Sequence, residues 1–361
     1  MEQRESAVLG CLLGMAVGDA MGYPVDKLSF PEICENYGPN GLLGYDLVNG
    51  SADITSYTQL AAFVCNGLML GVLRGNMDNL QKFIHLGLRE WLKSQQVPKA
   101  GEKTFCWLSH VNQMRRRLCM DTRLLDALSR ENLGTVEKPV FRSDTPSSLT
   151  GAVAVGLLFD SEKMRLQQVG LLGAQTVATT HGEPESFLSG AVLAYLIAGI
   201  LHAPEESLVQ TVVKAVKAVQ TQFSNSFCQT EAVADKIAKA IEYTKDPELT
   251  PLAAMSLLGC TTASECLAGA VYVALIHPAN FDEGLIAGVN HSGRSSAVGA
   301  VAGAILGAKL GAEALPEFYL ESLESAPVLQ ELAGDIAQQR QLMRIFDDDW
   351  DQKYVQGRPV S

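Results

Sequence analysis

The sequence predicts an all-α protein, and three observations carry that prediction. Apolar residues recur almost everywhere at helical rather than alternating spacing. β-branched residues are not gathered into strand-like runs. The breaks between apolar stretches are short and polar, mostly under about ten residues, as in a compact helical bundle. With 361 residues, 47% of them hydrophobic, the chain has ample material for one large core and reads as a single domain over residues 1–361.

The elements follow in order. Residues 7–21 form a helix rich in Gly and Ala, which suits close packing at the centre of a bundle, and 59–74 form a second apolar helix. An amphipathic helix over 79–93 and a shorter one over 122–130 come next. Pro146 stands where a helix running to Phe159 begins, a favoured first-turn position for proline. Helices over 165–179, 184–201, 205–219 and 230–243 are separated by short polar breaks. The last third contributes 251–258, 262–275, 281–289, 297–310 and 327–346. Two connections are longer, 38–56 and 134–145, and both are expected to line a cleft rather than to separate domains.

A formal charge of −12 argues against nonspecific binding to nucleic acid or to an anionic membrane, which both depend on basic surface. The one basic run, Arg115-Arg116-Arg117, reads as a solvated helix face. The acidic run Asp347-Asp348-Asp349 likewise reads as solvated. None of the eight cysteines has the C-x-x-C spacing of a zinc or redox site, so they are expected to be reduced core residues of a cytoplasmic protein. The start Met1-Glu2-Gln3-Arg4-Glu5-Ser6 does not fit a secretory signal, and no apolar run is expected to reach the roughly 20 residues that span a bilayer.

The most informative stretch is Asn290-His291-Ser292-Gly293-Arg294-Ser295-Ser296-Ala297-Val298-Gly299, which leads into a small-residue helix ending near Gly307. Four other blocks accompany it in order: Gly18-Asp19-Ala20-Met21-Gly22 before Pro24-Val25-Asp26, then Thr55-Ser56-Tyr57-Thr58-Gln59, then Thr179-Thr180-His181-Gly182-Glu183-Pro184, and Ala263-Ser264-Glu265-Cys266-Leu267-Ala268. Together they resemble the motifs of the ADP-ribosylglycohydrolases (the dinitrogenase reductase-activating glycohydrolase family), and the resemblance covers most of the chain. The family's Gly-x-x-Met-Arg segment corresponds to Thr150-Gly151, without the arginine.

That resemblance implies an all-α fold, and a site in which two magnesium or manganese ions sit between an early Thr-Asp-Asp cluster and a late Asp-x-Asp-Ser/Thr cluster. In this chain the four aspartate positions read Ser56, Tyr57, Arg294 and Ser296, and the late Ser/Thr position reads Ala297. Hard cations demand oxygen ligands, preferably ionised ones, and a pair of ions needs several carboxylates. Arg294 instead brings a permanent positive charge. We therefore expect no metal cofactor. Asp46, Asp53 and Asp282 stand as other carboxylates that could serve as ligands. Arg294 is expected either to pair with Asp26 or Asp53 or to grip a phosphate or ribose through paired hydrogen bonds.

Asp26 corresponds to the family's glutamate near the scissile bond and is the candidate catalytic acid. Shortened by one methylene, it retreats by about 1.5 Å, which weakens proton transfer. Asp19 reads as a hydrogen-bond anchor and Glu265 as a residue that orients a neighbour. The candidate ligand-binding residues are Thr55, Ser56, Tyr57 and Thr58 at one helix start, His181, and His291, Ser292, Gly293, Arg294, Ser295 and Ser296 at another, where exposed N–H groups suit a diphosphate. The expected ligand is ADP-ribose or a related nucleotide, or an ADP-ribosylated protein partner. The alternative is a hydrolase of N- or O-linked ADP-ribose that uses Asp26 without the usual metals.

Overall fold

The computed structural model describes residues 2–96, 103–158, 165–342 and 348–358. Sixteen helices of at least six residues run through it: α1 Gln3–Gly22, α2 Phe30–Tyr37, α3 Ser56–Leu73, α4 Leu80–Ser94, α5 Thr122–Ser129, α6 Gly151–Leu158, α7 Leu166–Ala178, α8 Pro184–His202, α9 Leu208–Phe223, α10 Thr230–Tyr243, α11 Pro251–Leu258, α12 Ala263–Ile276, α13 Phe281–Val289, α14 Ser295–Leu310, α15 Glu317–Ser322 and α16 Ala326–Leu342. Among the described residues there are only isolated β-bridges, Val48 with Ser51 and Ala52 with Leu323, and no sheet. The all-α expectation holds.

Most expected helices appear within a few residues of their expected bounds, with instructive exceptions. Helix α3 begins at Ser56 rather than residue 59, because the Thr55 hydroxyl accepts the Tyr57 N–H and caps it. Helix α14 begins at Ser295, two residues early, so the motif serines sit in its first turn. Helix α2 was not anticipated, although Ser29 and Glu32 form a full capping box with Pro31 in the first turn. Pro146 opens a short 3-10 turn, Pro146–Ser148, before α6. The expected helix ends at Phe159 and Phe346, and Asp347 of the acidic run, lie outside the described residues.

The central packing is that of α1 against α14, antiparallel and almost without side chains between them. Gly10, Gly14 and Gly18 face Gly307, Gly303 and Gly299 in turn, and Gly22 faces Ser295; a Cβ on any of these four α1 glycines would lie well inside contact distance of the opposing carbonyl oxygen. The four-residue spacing repeats one position per turn, so the seam follows a single ridge of each helix. Only glycine permits this approach, and it brings the end of α1 directly onto the start of α14.

Helices α1, α3 and α8 are each long and apolar enough, by length and composition, to cross a membrane, which corrects the expectation that no run is that long. Inside the fold each is buried over 83% to 94% of its apolar window, because it is covered by other helices on nearly every side. All eight cysteines are free. Five of them are buried in the core, as expected, whereas Cys228 is exposed and Cys34 and Cys119 are half-buried.

The seam predicts that Gly18→Ala destabilises the protein by about 1–3 kcal/mol or more, since rigid backbone rather than a mobile side chain must give way. Gly334→Ala on α16, where nothing approaches within 4 Å of the added methyl, should be neutral or stabilising by up to about 1 kcal/mol. Urea unfolding of the two variants checks the contrast.

Candidate functional site

Two buried carboxylates stand where the starts of α3 and α14 converge, and each holds the start of a helix. Asp19, in the last turn of α1 and fully buried, accepts four hydrogen bonds from the start of α3: from the Thr55 N–H (2.8 Å) and hydroxyl (2.7 Å), and from the Thr58 N–H (3.2 Å) and hydroxyl (2.6 Å). It neutralises the positive end of the helix. Burial pushes its carboxyl up to about 6, and the four hydrogen bonds oppose the rise. Thr55 and Thr58 are thus fully buried, and both of their hydroxyls donate to Asp19.

Asp26 does the same for α14. Its Oδ1 accepts the Ser296 N–H at 3.2 Å, and its Oδ2 lies 3.9 Å from Arg294 Nη1. Burial raises its pKa, while the Arg294 charge and the Ser296 N–H pull it down. Cys119 fills the space between the two helix starts, its backbone held at φ +50°. Its Sγ is 3.9 Å from both Asp26 Oδ2 and Ser296 Oγ, and its carbonyl accepts the Ser56 hydroxyl at 2.8 Å. Tyr57 is buried beside them; burial, and after it the Asp26 charge, holds its phenol well above the usual range. The Thr150 hydroxyl fixes the Tyr57 carbonyl at 2.7 Å. Four positions spread over 240 residues of sequence, Ser56, Tyr57, Arg294 and Ser296, therefore meet around Asp26 and Cys119.

The loop before α14 is tied down on both sides. Gly293 O accepts the Lys27 N–H (2.9 Å), Ser292 Oγ accepts the Phe30 N–H (2.8 Å), and Arg294 N–H donates to Cys260 O (2.9 Å). Glu265 braces the Cys260 turn by accepting from Thr261 and Thr262, which is the orienting role expected of it. These bonds correct part of the anion-cradle expectation, since the Arg294 and Ser296 N–H groups already have protein acceptors. His291 is buried, and neither ring nitrogen has a partner in hydrogen-bond geometry. Burial lowers its pKa to about 4, the Gly288 carbonyl offsetting this only in part, so it is a neutral interior ring rather than a surface contact. The Ser295 hydroxyl is buried and also lacks a partner.

His181 belongs to a second cluster. Its Nε2 lies 2.9 Å from the hydroxyls of Thr145 and Ser147 and 3.5 Å from Asp121 Oδ2, and its Nδ1 lies 2.8 Å from the Thr180 hydroxyl. Thr145 and Ser147 also donate to Asp121 Oδ2, at 2.7 Å and 2.5 Å. Burial raises the Asp121 carboxyl, but the bonds from His181, Ser147 and Thr145 together outweigh it and hold the group well below the usual range. Asp121, Thr145 and Ser147 were not anticipated as a group. Asp121 is the N-cap of α5, and that capping signal was the only trace of it in the sequence.

The other candidate carboxylates are engaged elsewhere. Asp53 pairs with Arg116, which also pairs with Glu324, so it does not reach Arg294. Asp46 accepts from Tyr37 (2.7 Å) and Asp282 from Tyr319 (2.5 Å). At the starts of α3 and α14 stand the Asp19 carboxylate, taken up by Thr55 and Thr58, the Asp26 carboxylate, hydroxyls and a guanidinium, a set that does not suit a pair of hard divalent cations. Among the described residues no group of three or more His, Cys, Asp or Glu side chains is placed to hold an ion.

Residues 1–345 match the ADP-ribosylglycohydrolase family. An uncharacterised protein of Archaeoglobus fulgidus is 23% identical over 338 residues, which cover 91% of this chain and 95% of that one. A solved structure titled "ADP-ribosylglycohydrolase-related protein complex" superposes with a TM-score of 0.57 at 22% identity, over 94% of this chain and 99% of that one, and shares the fold.

Asp19 carries a pH signature. Because its folded pKa is raised, the folded protein binds its proton more tightly than the unfolded chain, so this contribution to stability is full below about 4 and is lost as pH rises through about 6. Asp19→Asn should cost about 1–3 kcal/mol at pH 7 by replacing acceptors with an amide, and the wild-type minus variant difference should shift between pH 4 and 6. Urea unfolding from pH 4 to pH 7 reads both effects.

Proposed function

Because the chain belongs to the ADP-ribosylglycohydrolase family, we propose that it keeps the family's cleft while having lost the two-metal centre, and that it binds ADP-ribose, a related nucleotide or an ADP-ribosylated partner without metal. The observation that carries this reading is Arg294. Its partly exposed guanidinium stands at one of the lost aspartate positions, 3.9 Å from a buried Asp26, and replaces ionic charge with a fixed cation of the geometry that suits phosphate. The Ser296 side chain beside it is neutral, and the Ser56 hydroxyl donates to Cys119 O. In this reading the protein is a binding module, a pseudoenzyme of the cytoplasm, with free cysteines in its core.

One observation favours the alternative of residual hydrolysis. Burial raises the pKa of Asp26, which moves that carboxyl toward the protonated form that a general acid requires. Its engagement with Ser296 N–H and Arg294 weighs against the role, since both partners stabilise the ionised form.

Calorimetry in the presence of a chelator should detect ADP-ribose binding, and Arg294→Ala should weaken it by about 1.5–3 kcal/mol, the usual worth of a charged hydrogen bond. Unaltered affinity in the variant would reduce Arg294 to a structural ion pair.

Restoring Ser56→Asp, Tyr57→Asp, Arg294→Asp and Ser296→Asp together with Ala297→Thr should create a site that takes magnesium or manganese, detected by titration of the metal-free variant. Ser56→Asp alone should take none, because a single carboxylate beside Arg294 pairs with it instead of building a coordination shell. A folded five-fold variant without metal affinity would show that the helix starts have drifted from the family frame.

A further inference from the structure

A tight hairpin and α15 are joined into one stiff face. Val48 and Ser51 exchange backbone hydrogen bonds (3.0 and 3.1 Å) across Asn49 and Gly50, whose φ values of +54° and +80° give the Asn-Gly turn that two-residue hairpins favour. The Ala52 N–H donates to Ser322 O (2.8 Å) at the end of α15. The Tyr45 ring stands edge-on to Tyr319 at 4.9 Å, and the Tyr319 ring lies 4.3 Å from that of Phe318. On the other side the Asn290 amide holds both the N–H and the carbonyl of Leu42 (2.8 Å each), which ties the hairpin to the loop that leads to Arg294.

This face is apolar and acidic at once. Among the described residues ten large hydrophobic side chains are exposed, and four of them are here: Leu43, Leu47, Val48 and Phe318, each between 42% and 60% exposed. Leu43, Leu47 and Val48 are two or three residues from Tyr45, so at about 3.8 Å per residue their Cα atoms lie within about 11 Å of the Tyr45 Cα. Phe318 adjoins Tyr319 on the far side of the same ring contact. Such a concentration marks an interaction surface, whereas single exposed apolar residues need no explanation. Residues 28–55 and 311–325, which include the hairpin and α15, each contain four Asp or Glu and no Lys or Arg. Arg116, which stands in extended backbone after a 3-10 turn rather than on the solvated helix face expected of it, neutralises only Asp53 and Glu324. Asp46, Glu317 and Glu321 are exposed and have no ion-pair partner among the described residues.

We propose that this face docks a protein partner through a basic segment that carries apolar side chains. Charge disfavours the other occupants. A second copy related by a two-fold axis sets the acidic face against itself, and the phosphates of nucleic acid or of an anionic membrane are repelled by the same carboxylates. A basic segment meets Asp46, Glu317 and Glu321 with its cations and covers Leu47, Val48 and Phe318 with its apolar side chains. The ionic contacts steer and select the partner, and the apolar contacts hold it. The inference does not depend on what the cleft binds.

Fluorescence anisotropy of a labelled peptide of alternating lysine and leucine, titrated with the full chain at physiological salt, tests it. Binding is expected in the wild type and should be at least tenfold weaker in the double variant Val48→Ser, Phe318→Ser and, independently, in Glu317→Gln, Glu321→Gln, whose exposed carboxylates can be neutralised without disturbing the core. Leu257→Ser, which removes an equally exposed leucine on α11, should bind as the wild type does. A peptide of alternating lysine and glycine should bind several-fold more weakly for want of apolar contact. The proposal is overturned if the wild type shows no binding at submillimolar concentrations, if the Glu317→Gln, Glu321→Gln variant binds as the wild type does, if Leu257→Ser weakens binding as much as Val48→Ser, Phe318→Ser, or if the glycine peptide binds as tightly as the leucine peptide. It is also overturned if sedimentation shows a dimer that Val48→Ser, Phe318→Ser dissociates, which gives the face to a second copy.

Discussion

Everything at the cleft depends on the backbone-to-backbone contact of α1 with α14. Four α1 glycines spaced one turn apart remove every side chain between two antiparallel helices, and the register this sets leaves no freedom in where the ends fall. Asp19 and Asp26 emerge at the end of α1; the Arg294 turn and Ser296 stand at the start of α14. The two carboxylates then reach sideways, Asp19 to the start of α3 and Asp26 to the start of α14, and satisfy N–H groups that each helix leaves without intrahelical acceptors. Helix packing fixes position, and capping fixes orientation.

The same frame shows how the two converging helix starts are held by charges of the protein itself. Helix starts that converge on one point concentrate positive dipole ends there and need negative charge. In this chain Asp19 and Asp26 supply that charge from within the protein. Cys119, Ser56 and Ser296 fill the remaining space with small groups whose mutual bonds are weak or to backbone. The cleft residues can therefore diverge while the seam beneath them stays constant.

Much of the fold was legible in the sequence because buried helices must show their period, and the family motifs placed Ser56, Tyr57, Arg294 and Ser296 together although they are far apart along the chain. The direction in which each side chain acts was not legible. Thr55 and Thr58 look like ligand contacts but serve Asp19, and His291 looks like a loop residue but is interior. The Asp121, Thr145, Ser147 and His181 cluster was hidden because its members come from three separate segments with no shared spacing, and only tertiary packing unites them. Helix α2 was missed for a different reason: eight residues give too little periodic signal, and its capping box had to be weighed by itself.

The glycine seam also sets an order of events during synthesis. Helix α1 leaves the ribosome long before α14, yet the ridge that covers it ends at Gly307, so all of the intervening chain must be made before the two can meet. Over that interval a helix with the length and apolarity of a membrane span is without its partner. The nascent chain thus presents a long apolar, unshielded surface over that interval, and cellular factors that recognise such segments compete with the fold until its last third arrives.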